Sequence, residues 1–141
     1  MQGPVLSIIV PTFNERDNIP RLVAALDACL VGVEWELIVV DDDSPDQTAA
    51  VVRAQACANH RVRCLHRIGR RGLSSACIEG MLSSSAPVVA VMDGDLQHPP
   101  ELIPEMAGKW AEGFHVVNTA RMETEGIPLK KKIFSKVFYK L

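Results

Sequence analysis

The stretch VVAVMDGDLQHPPE (88–101) joins a short apolar run to an acidic turn and a pair of prolines. The apolar run at 88–92 is typical of a buried strand. Two adjacent prolines suit the first turn of a helix, because that position needs no backbone N–H. Between the strand and the helix stand Asp93 and Asp95, one residue apart. The stretch therefore predicts a strand that ends in two carboxylates and leads directly into a helix.

The same alternation of strand and helix continues outward along the chain. Proline, glycine and polar residues separate the apolar runs, and apolar residues at helical spacing fill the intervals between them. The predicted strands are 5–10, 35–40, 62–66, 88–92 and 114–120, and the predicted helices are 18–30, 47–58, 73–83 and 99–110. Continuous apolar strands that alternate with helices predict an α/β fold, with a mostly parallel sheet covered by helices on both faces.

The composition excludes several classes of protein. With 141 residues, 48% of them hydrophobic, the chain can form one domain with a core. A net charge of −2 gives no reason to expect nucleic acid as a partner. No stretch approaches the roughly 20 apolar residues that span a bilayer, and the N-terminus lacks the features of a signal peptide. The four cysteines form no Cys-x-x-Cys pair, which indicates reduced, buried thiols in a cytoplasmic protein.

Polar clusters follow four of the predicted strands. They are PTFNE (11–15), DDDSPD (41–46), DGD (93–95) and Arg121. Any one of them is explained by turn and capping chemistry, with Asp46 or Ser44 as the cap of the second helix. In a parallel sheet, however, the carboxyl ends of the strands share one edge, and ligands collect there. Four clusters on that edge favour a binding site.

Asp93, Asp95 and Gln97 offer hard oxygen ligands of the kind that Mg²⁺ or Mn²⁺ prefers. Alternation along an extended segment points the two aspartates the same way. Magnesium usually completes its shell with water and substrate phosphates, and neither a GxGxxG nor a Walker sequence is present. These observations favour a nucleotide-diphosphate donor. The alternative is an acidic turn without an ion, and His98 either supports the ligands or lies at the surface.

Four motifs in order resemble family 2 glycosyltransferases of the GT-A fold, and among them the polyprenyl-phosphate sugar transferases such as dolichol-phosphate mannose synthases. They are PTFNE, DDDSPD, GLSSA (72–76) and MDGDLQHPPE (92–101). The resemblance implies a Rossmann-like GT-A nucleotide-sugar-binding domain. It also implies a metal-dependent, inverting transfer of mannose from GDP-mannose to a polyprenyl phosphate of the dolichyl type.

The resemblance also implies roles for individual residues. Pro11, Phe13, Glu15, Asp42 and Asp93 would bind the donor; Asp93, Asp95 and Gln97 would bind the metal; and Asp95, Arg121 and Lys131 would be catalytic. The sequence departs from the family pattern at three places. Phe13 stands where a tyrosine is usual, Lys131 stands where an arginine is usual, and METEG (122–126) replaces a glycine-rich loop.

No convincing general base is found in the sequence. A sugar hydroxyl needs such a base when it attacks. A phosphate monoester does not, because with a second pKa of about 6 it is already anionic at pH 7. Three alternatives remain: another donor such as UDP-glucose, a saccharide hydroxyl as acceptor, or a nucleotide-sugar-binding module without catalysis.

The segment PLKKKIFSKVFYKL (128–141) differs in composition from residues 1–127. Its apolar residues recur at helical spacing, and five lysines fill other positions. This pattern predicts a basic amphipathic helix that lies in a membrane interface, at the cytoplasmic face. The alternative is a core-packing helix with a solvated lysine face. The resemblance implies that residues 1–127 form the N-terminal part of a longer catalytic domain.

Overall fold

A computed structural model describes residues 3–120 of the chain. Within them, four strands alternate with four helices: β1 (Leu6–Thr12), α1 (Ile19–Cys29), β2 (Trp35–Asp41), α2 (Thr48–Ala58), β3 (Val62–His66), α3 (Leu73–Leu82), β4 (Val88–Val91) and α4 (Leu102–Ala111). These positions confirm the first four predicted strands and all four predicted helices. The predictions for Arg121, Lys131 and the segment 128–141 lie outside the described residues.

The four strands form one parallel sheet in the order β3-β2-β1-β4. β1 pairs with β2 from Leu6 opposite Trp35 to Thr12 opposite Asp41, and it pairs with β4 along its first half. Every residue of β2 is buried, as its largely apolar sequence predicts for a central strand. The two central strands end side by side, so the segments that follow them start at the same edge of the sheet.

Helices cover both faces of the sheet, as predicted. Alternate side chains of β1 and β2 pack with α1, α2 and Ile103 of α4 on one face. The intervening ones, Ile9, Ile38 and Val40, pack with Ala76 of α3 on the other face. α3 approaches the sheet closely at Gly80, where a Cβ atom would overlap the Ile9 side chain. Glycine at this position lets α3 lie directly against the two central strands.

The fifth predicted strand is wrong, because residues 114–120 form no strand. They are exposed apart from half-buried Val117, and residues 115–119 line an open groove of about 440 Å³ with β4 and α4. A strand needs hydrogen bonds from a neighbouring strand, and within residues 3–120 β4 pairs only with β1. The apolar residues of 114–120 indicated that this segment suits a strand, but they could not indicate a partner.

The four cysteines are all free, in agreement with the prediction of reduced thiols. Burial raises the pKa of the Cys29, Cys64 and Cys77 thiols, so these three remain protonated at neutral pH. Cys57 is exposed and the other three are partly buried, which corrects the prediction that all four are buried. It occupies the solvent side of α2, whereas Val52 of the same helix packs into the core.

Candidate functional site

Three of the predicted polar clusters meet at the carboxyl edge of the sheet. Parallel pairing places Thr12 beside Asp41, so the loops after β1 and β2 begin next to each other. The Thr12 hydroxyl donates to Asp41 Oδ1 at 3.2 Å, and the Ser44 hydroxyl donates to the same oxygen at 2.5 Å. Gly94, in the turn after β4, is buried against Val10 and Thr12 of β1. The turns after β1, β2 and β4 therefore form one surface, as expected for a parallel sheet.

Asp46 holds the amino end of α2 and the loop after β1. Its Oδ1 accepts hydrogen bonds from the Thr48 N–H at 3.0 Å and from the Thr48 hydroxyl at 2.6 Å. Its Oδ2 accepts from the Arg16 N–H at 3.1 Å. Burial raises the pKa of Asp46, but these hydrogen bonds outweigh burial and leave the pKa below its ordinary value. Asp46 thus binds the first residue of α2, as the capping explanation expects, although the N-cap residue itself is Gln47, whose side chain makes no capping hydrogen bond.

Asp42 is held by two donors from the segment after β3. Arg67 Nη1 donates to Asp42 Oδ1 at 2.7 Å, and the Gly72 N–H donates to Asp42 Oδ2 at 2.7 Å. Asp42 is 7% exposed and Arg67 is 2% exposed. Both carboxylate oxygens are thus bound within the protein. The role of Asp42 in donor binding stays a prediction, and the structure adds that the carboxylate has a fixed position.

The predicted donor residues of β1 and its loop differ in accessibility. Pro11 lies within β1 and is half-buried, and so is Glu15, whose Oε2 accepts a hydrogen bond from the Asn18 side chain at 2.7 Å. Phe13 is 44% exposed, and the guanidinium carbon of Arg71 lies 4.5 Å from the centre of its ring. This distance is that of a cation–π contact. An aromatic ring and a cation therefore stand together at the open edge.

Asp93 and Asp95 lie close together at a turn, and they form a cluster with His98. One ligand atom from each residue lies within 4.8 Å of the other two, and His98 Nδ1 is 3.7 Å from Asp93 Oδ2. Two carboxylates are the donors that Mg²⁺ and Mn²⁺ require, and an imidazole is a ligand that Mn²⁺ accepts more readily than Mg²⁺. The Asp93 side chain is 57% exposed, which leaves room for phosphate or water ligands. The donor set fits a divalent cation.

Gln97 lies beside this cluster and is exposed. Its backbone N–H donates to Asp95 Oδ1 at 3.0 Å, a turn contact that orients the carboxylate. The role of the Gln97 side chain as a metal ligand stays a prediction. His98 is closer to the carboxylates than the sequence indicated, because the turn at Leu96, with a φ of 60°, directs the following residues back toward Asp93.

A cavity of about 150 Å³ opens beside the metal cluster. Asp93, His98 and Thr119 contribute its polar groups. Most of the remaining lining is apolar and comes from β4 and α4, including Met92, Leu102, Ile103 and Met106. With a divalent cation held at Asp93, a cavity of this kind would suit a ligand with an anionic head and an apolar remainder, because one part of its lining is polar and the other is apolar.

Sequence reasoning missed Arg67 and Arg71, which belong to the segment HRIGRRG (66–72) after β3. A signal was available, because this segment is a fifth polar cluster at the end of a predicted strand. Its two glycines have positive φ angles of 70° and 139°, which let the chain turn back over the edge of the sheet.

A family model described as "Glycosyl transferase family 2" matches residues 7–138. The chain is 38% identical to a dolichol-phosphate mannosyltransferase of Pyrococcus furiosus, over 93% of this chain and 38% of the relative. It is 33% identical to an undecaprenyl-phosphate 4-deoxy-4-formamido-L-arabinose transferase of Klebsiella pneumoniae, over 89% of this chain and 39% of the relative. The chain thus spans about two fifths of the length of these curated relatives.

The fold is similar to that of a mannosyltransferase from Pyrobaculum calidifontis, solved in complex with GDP-Man and Mn²⁺. The TM-score is 0.65 and the identity is 25%, with 78% of this chain and 33% of that chain covered. The similarity confirms the predicted architecture of a sheet with helices on both faces.

Proposed function

The chain belongs to glycosyltransferase family 2, and from that premise we propose that it transfers mannose from GDP-mannose to a polyprenyl phosphate with the help of Mn²⁺ or Mg²⁺. Two named relatives support the acceptor, since one is a dolichol-phosphate and the other an undecaprenyl-phosphate transferase. The mannosyltransferase solved with GDP-Man and Mn²⁺ supports the donor and the ion.

The observation that carries the proposal is the cluster of Asp93, Asp95 and His98 at the carboxyl end of β4. A divalent ion bound there would supply positive charge to the diphosphate as it leaves the sugar. Asp93 and Asp95 would hold this ion, with His98 or Gln97 as a further ligand. Gly94 between them is packed against β1, so the two carboxylates are fixed to the most buried part of the fold.

The donor would lie along the edge between this cluster and the loop after β2. Pro11, Phe13, Glu15 and Asp42 would bind its nucleotide part, with the exposed Phe13 ring as a flat apolar surface. The diphosphate would then reach the metal cluster, because Gly94 of that turn contacts Thr12 and Glu15 of the β1 end. The proposal assigns to Arg121 and Lys131, outside residues 3–120, contacts with phosphate groups.

The acceptor phosphate would attack without a general base, because it is anionic at neutral pH. The protein then has to position the two reactants and stabilise the leaving group. The cavity beside Asp93 and His98 supports an acceptor whose anionic head continues into an apolar chain. A saccharide would find few polar partners among the methionine, leucine and isoleucine side chains that line it.

We place the reaction at the cytoplasmic face of a membrane, because a polyprenyl phosphate is a lipid. Among residues 3–120, no helix combines the length and the apolarity that a bilayer crossing demands. The proposal gives membrane contact to the segment 128–141, because its five lysines would face anionic lipid headgroups. Residues 1–127 would form the nucleotide-sugar-binding part.

Calorimetry with GDP-mannose and UDP-glucose, with and without Mn²⁺, tests the donor and the ion. We expect binding of GDP-mannose that requires Mn²⁺ and is weakened about 100-fold or more in Asp95→Asn, in which the ion loses a charged ligand. A radiolabel transfer assay then offers dolichyl phosphate and a saccharide to the same sample. Transfer to the lipid supports the proposal, whereas transfer to the saccharide contradicts the acceptor. Binding without transfer to either compound identifies the chain as a donor-binding module.

A further inference from the structure

Arg67 is the largest of the side chains that are almost completely buried, with 2% of its surface exposed. It follows β3 directly, and its backbone N–H donates to Asp41 O at 2.8 Å as if it continued the strand. A buried guanidinium is costly unless carboxylates and hydrogen-bond acceptors surround it. A buried arginine stabilises a protein only when these partners are in place. The groups that Arg67 contacts therefore indicate its role.

The guanidinium contacts groups from three separate parts of the chain. Nη1 donates to Asp42 Oδ1 at 2.7 Å and to Gly72 O at 3.2 Å, and Nη2 donates to Ser75 Oγ at 2.6 Å. Nε lies 3.3 Å from Glu79 Oε1. The end of β2, the loop 67–72 and the start of α3 are therefore joined by one side chain. A planar fork makes these contacts together, which the single ammonium of lysine cannot do.

The contacts close into a ring around the Asp42 carboxylate. Arg67 binds one carboxylate oxygen, the Gly72 N–H binds the other, and the Gly72 carbonyl accepts from Arg67 in return. Gly72 is also the residue that precedes the first turn of α3, and its φ of 139° is one that other residues rarely adopt. This ring of contacts therefore fixes the position of the Asp42 carboxylate and the path of the loop 67–72 where it leads into α3.

We propose that Arg67 is a positioning residue of the donor site, which acts by fixing Asp42 and the loop that places Arg71 over Phe13. Arg67 itself is buried and does not reach a ligand at the edge of the sheet. The proposal rests on the proposed function, because it assumes that the edge beside Asp42 and Phe13 binds the nucleotide of the donor. Its effect is on the affinity for the donor and on the order of the loop.

Arg67→Lys tests this role, since it keeps the charge and removes the fork. Arg70→Lys is the matched control in the same loop, because Arg70 is exposed and pairs only with the Glu79 side chain among residues 3–120. Val52→Ala controls for lost stability, because Val52 is fully buried in the cluster on the other face of the sheet. All variants are compared with the wild-type chain at a temperature at which circular dichroism shows each to be folded.

Two measurements are made on each variant: the affinity for GDP with Mn²⁺ by calorimetry, and the hydrogen exchange of the amides of residues 68–76 by NMR. We expect Arg67→Lys to weaken GDP binding about tenfold, as for a lost charge-assisted hydrogen bond. We expect the Ala76 amide, which donates to Gly72 O at 2.9 Å, to exchange faster in the same variant. Arg70→Lys and Val52→Ala should change the affinity less than twofold and leave the exchange of this loop at the wild-type rate.

The two ways of failing can be told apart. If wild-type chain binds neither GDP nor UDP in the presence of Mn²⁺, the proposed function fails, and the exchange rates still decide whether Arg67 fixes the loop. If Arg67→Lys binds nucleotide and exchanges like Val52→Ala, Arg67 contributes stability alone and the inference is overturned. Faster exchange of residues 68–76 in Arg67→Lys only, with weakened nucleotide binding, supports it.

Discussion

Two runs of aspartates follow two strands of the same sheet, and the fold uses them in opposite ways. After β2, Asp41 and Asp42 are buried and accept hydrogen bonds from hydroxyl, amide and guanidinium groups. After β4, the Asp93 side chain is 57% exposed, and the His98 ring lies 3.7 Å from one of its carboxylate oxygens. The first run holds the protein together, whereas the second is available to a cation from outside.

The difference arises from the donors that surround each run. The segments around β2 supply hydroxyl groups from Thr12, Ser44 and Thr48, which lie close enough to satisfy carboxylates. The run after β4 is followed by Pro99 and Pro100, which have no N–H to donate. Within residues 3–120, Asp95 accepts one hydrogen bond, from the Gln97 N–H, and Asp93 accepts none, so these carboxylates are suited to bind a divalent ion. An acidic run therefore indicates a metal site only where its neighbours cannot satisfy it.

The strongest test of this contrast compares Asp42→Ala with Asp93→Ala. Loss of Asp42 leaves the buried Arg67 without its closest carboxylate, and we expect unfolding free energy to fall by about 4 kcal/mol. Loss of Asp93 removes an exposed charge and should change stability by less than about 0.5 kcal/mol. Urea unfolding at pH 7 measures both values. Equal losses of stability in the two variants would contradict the division between structural aspartates after β2 and aspartates after β4 that are available to an ion.

Glu36, at the start of β2, is a third carboxylate that is bound within the protein, and it lies at the opposite end of the sheet. Its Oε1 accepts from the Ser7 hydroxyl at 2.6 Å and from the N–H and hydroxyl of Ser85, and Arg63 donates to its Oε2 at 2.7 Å. Burial raises the pKa of Glu36, but the hydrogen bonds outweigh burial and hold the pKa at about 2.

Because this pKa lies below the ordinary value of 4.5, ionised Glu36 stabilises the fold above pH 4.5. The contribution is lost as the pH falls from 4.5 to 2, and it amounts to about 3 kcal/mol for a shift of this size. Urea unfolding of the wild-type chain and of Glu36→Gln across this range tests the prediction. The difference in stability between the two proteins should shrink as the pH falls. A difference that stays constant would assign the acid sensitivity to other groups.

The sheet and the metal carboxylates follow from local sequence patterns. β1 and β2 are largely apolar runs, so their burial between two layers of helices could be predicted. Asp93 and Asp95 follow a strand directly, and alternation alone predicts that they point the same way. These features depend on neighbours within a few residues, and that is the range over which a single sequence is informative.

Arg67 and residues 114–120 depend on contacts that are distant in sequence. Arginine is seldom fully buried, and its burial here requires Asp42, 25 residues away, in the same place. No pattern near Arg67 reports that contact. The strand predicted at 114–120 fails for a related reason, since a strand is defined by its partner and the sequence of one segment does not identify the other.

The smallest expected effect is the stabilisation of the fold by Mn²⁺. A ligand that binds only the folded state stabilises it by about 1.4 kcal/mol at ten times its dissociation constant. For a domain of this size, that shift raises the midpoint of thermal unfolding by roughly 5 °C. We expect this rise in the wild-type chain, because the cluster of Asp93, Asp95 and His98 exists before the ion binds.

The same measurement of thermal unfolding, made on variants, distinguishes the aspartates after β4 from those after β2. Asp93→Asn should lose the Mn²⁺ shift although its midpoint without the ion is unchanged, because the exposed carboxylate has no structural partner to lose. Asp42→Ala should have a much lower midpoint without the ion. It should still show the full Mn²⁺ shift, because Arg67 and Gly72 bind the two oxygens of Asp42, which therefore is not a ligand of the ion. His98→Ala tests whether the imidazole is a ligand, and it should reduce the shift without abolishing it. A full shift in Asp93→Asn would place the ion elsewhere, and the contrast between the two aspartate runs would then lose its functional meaning.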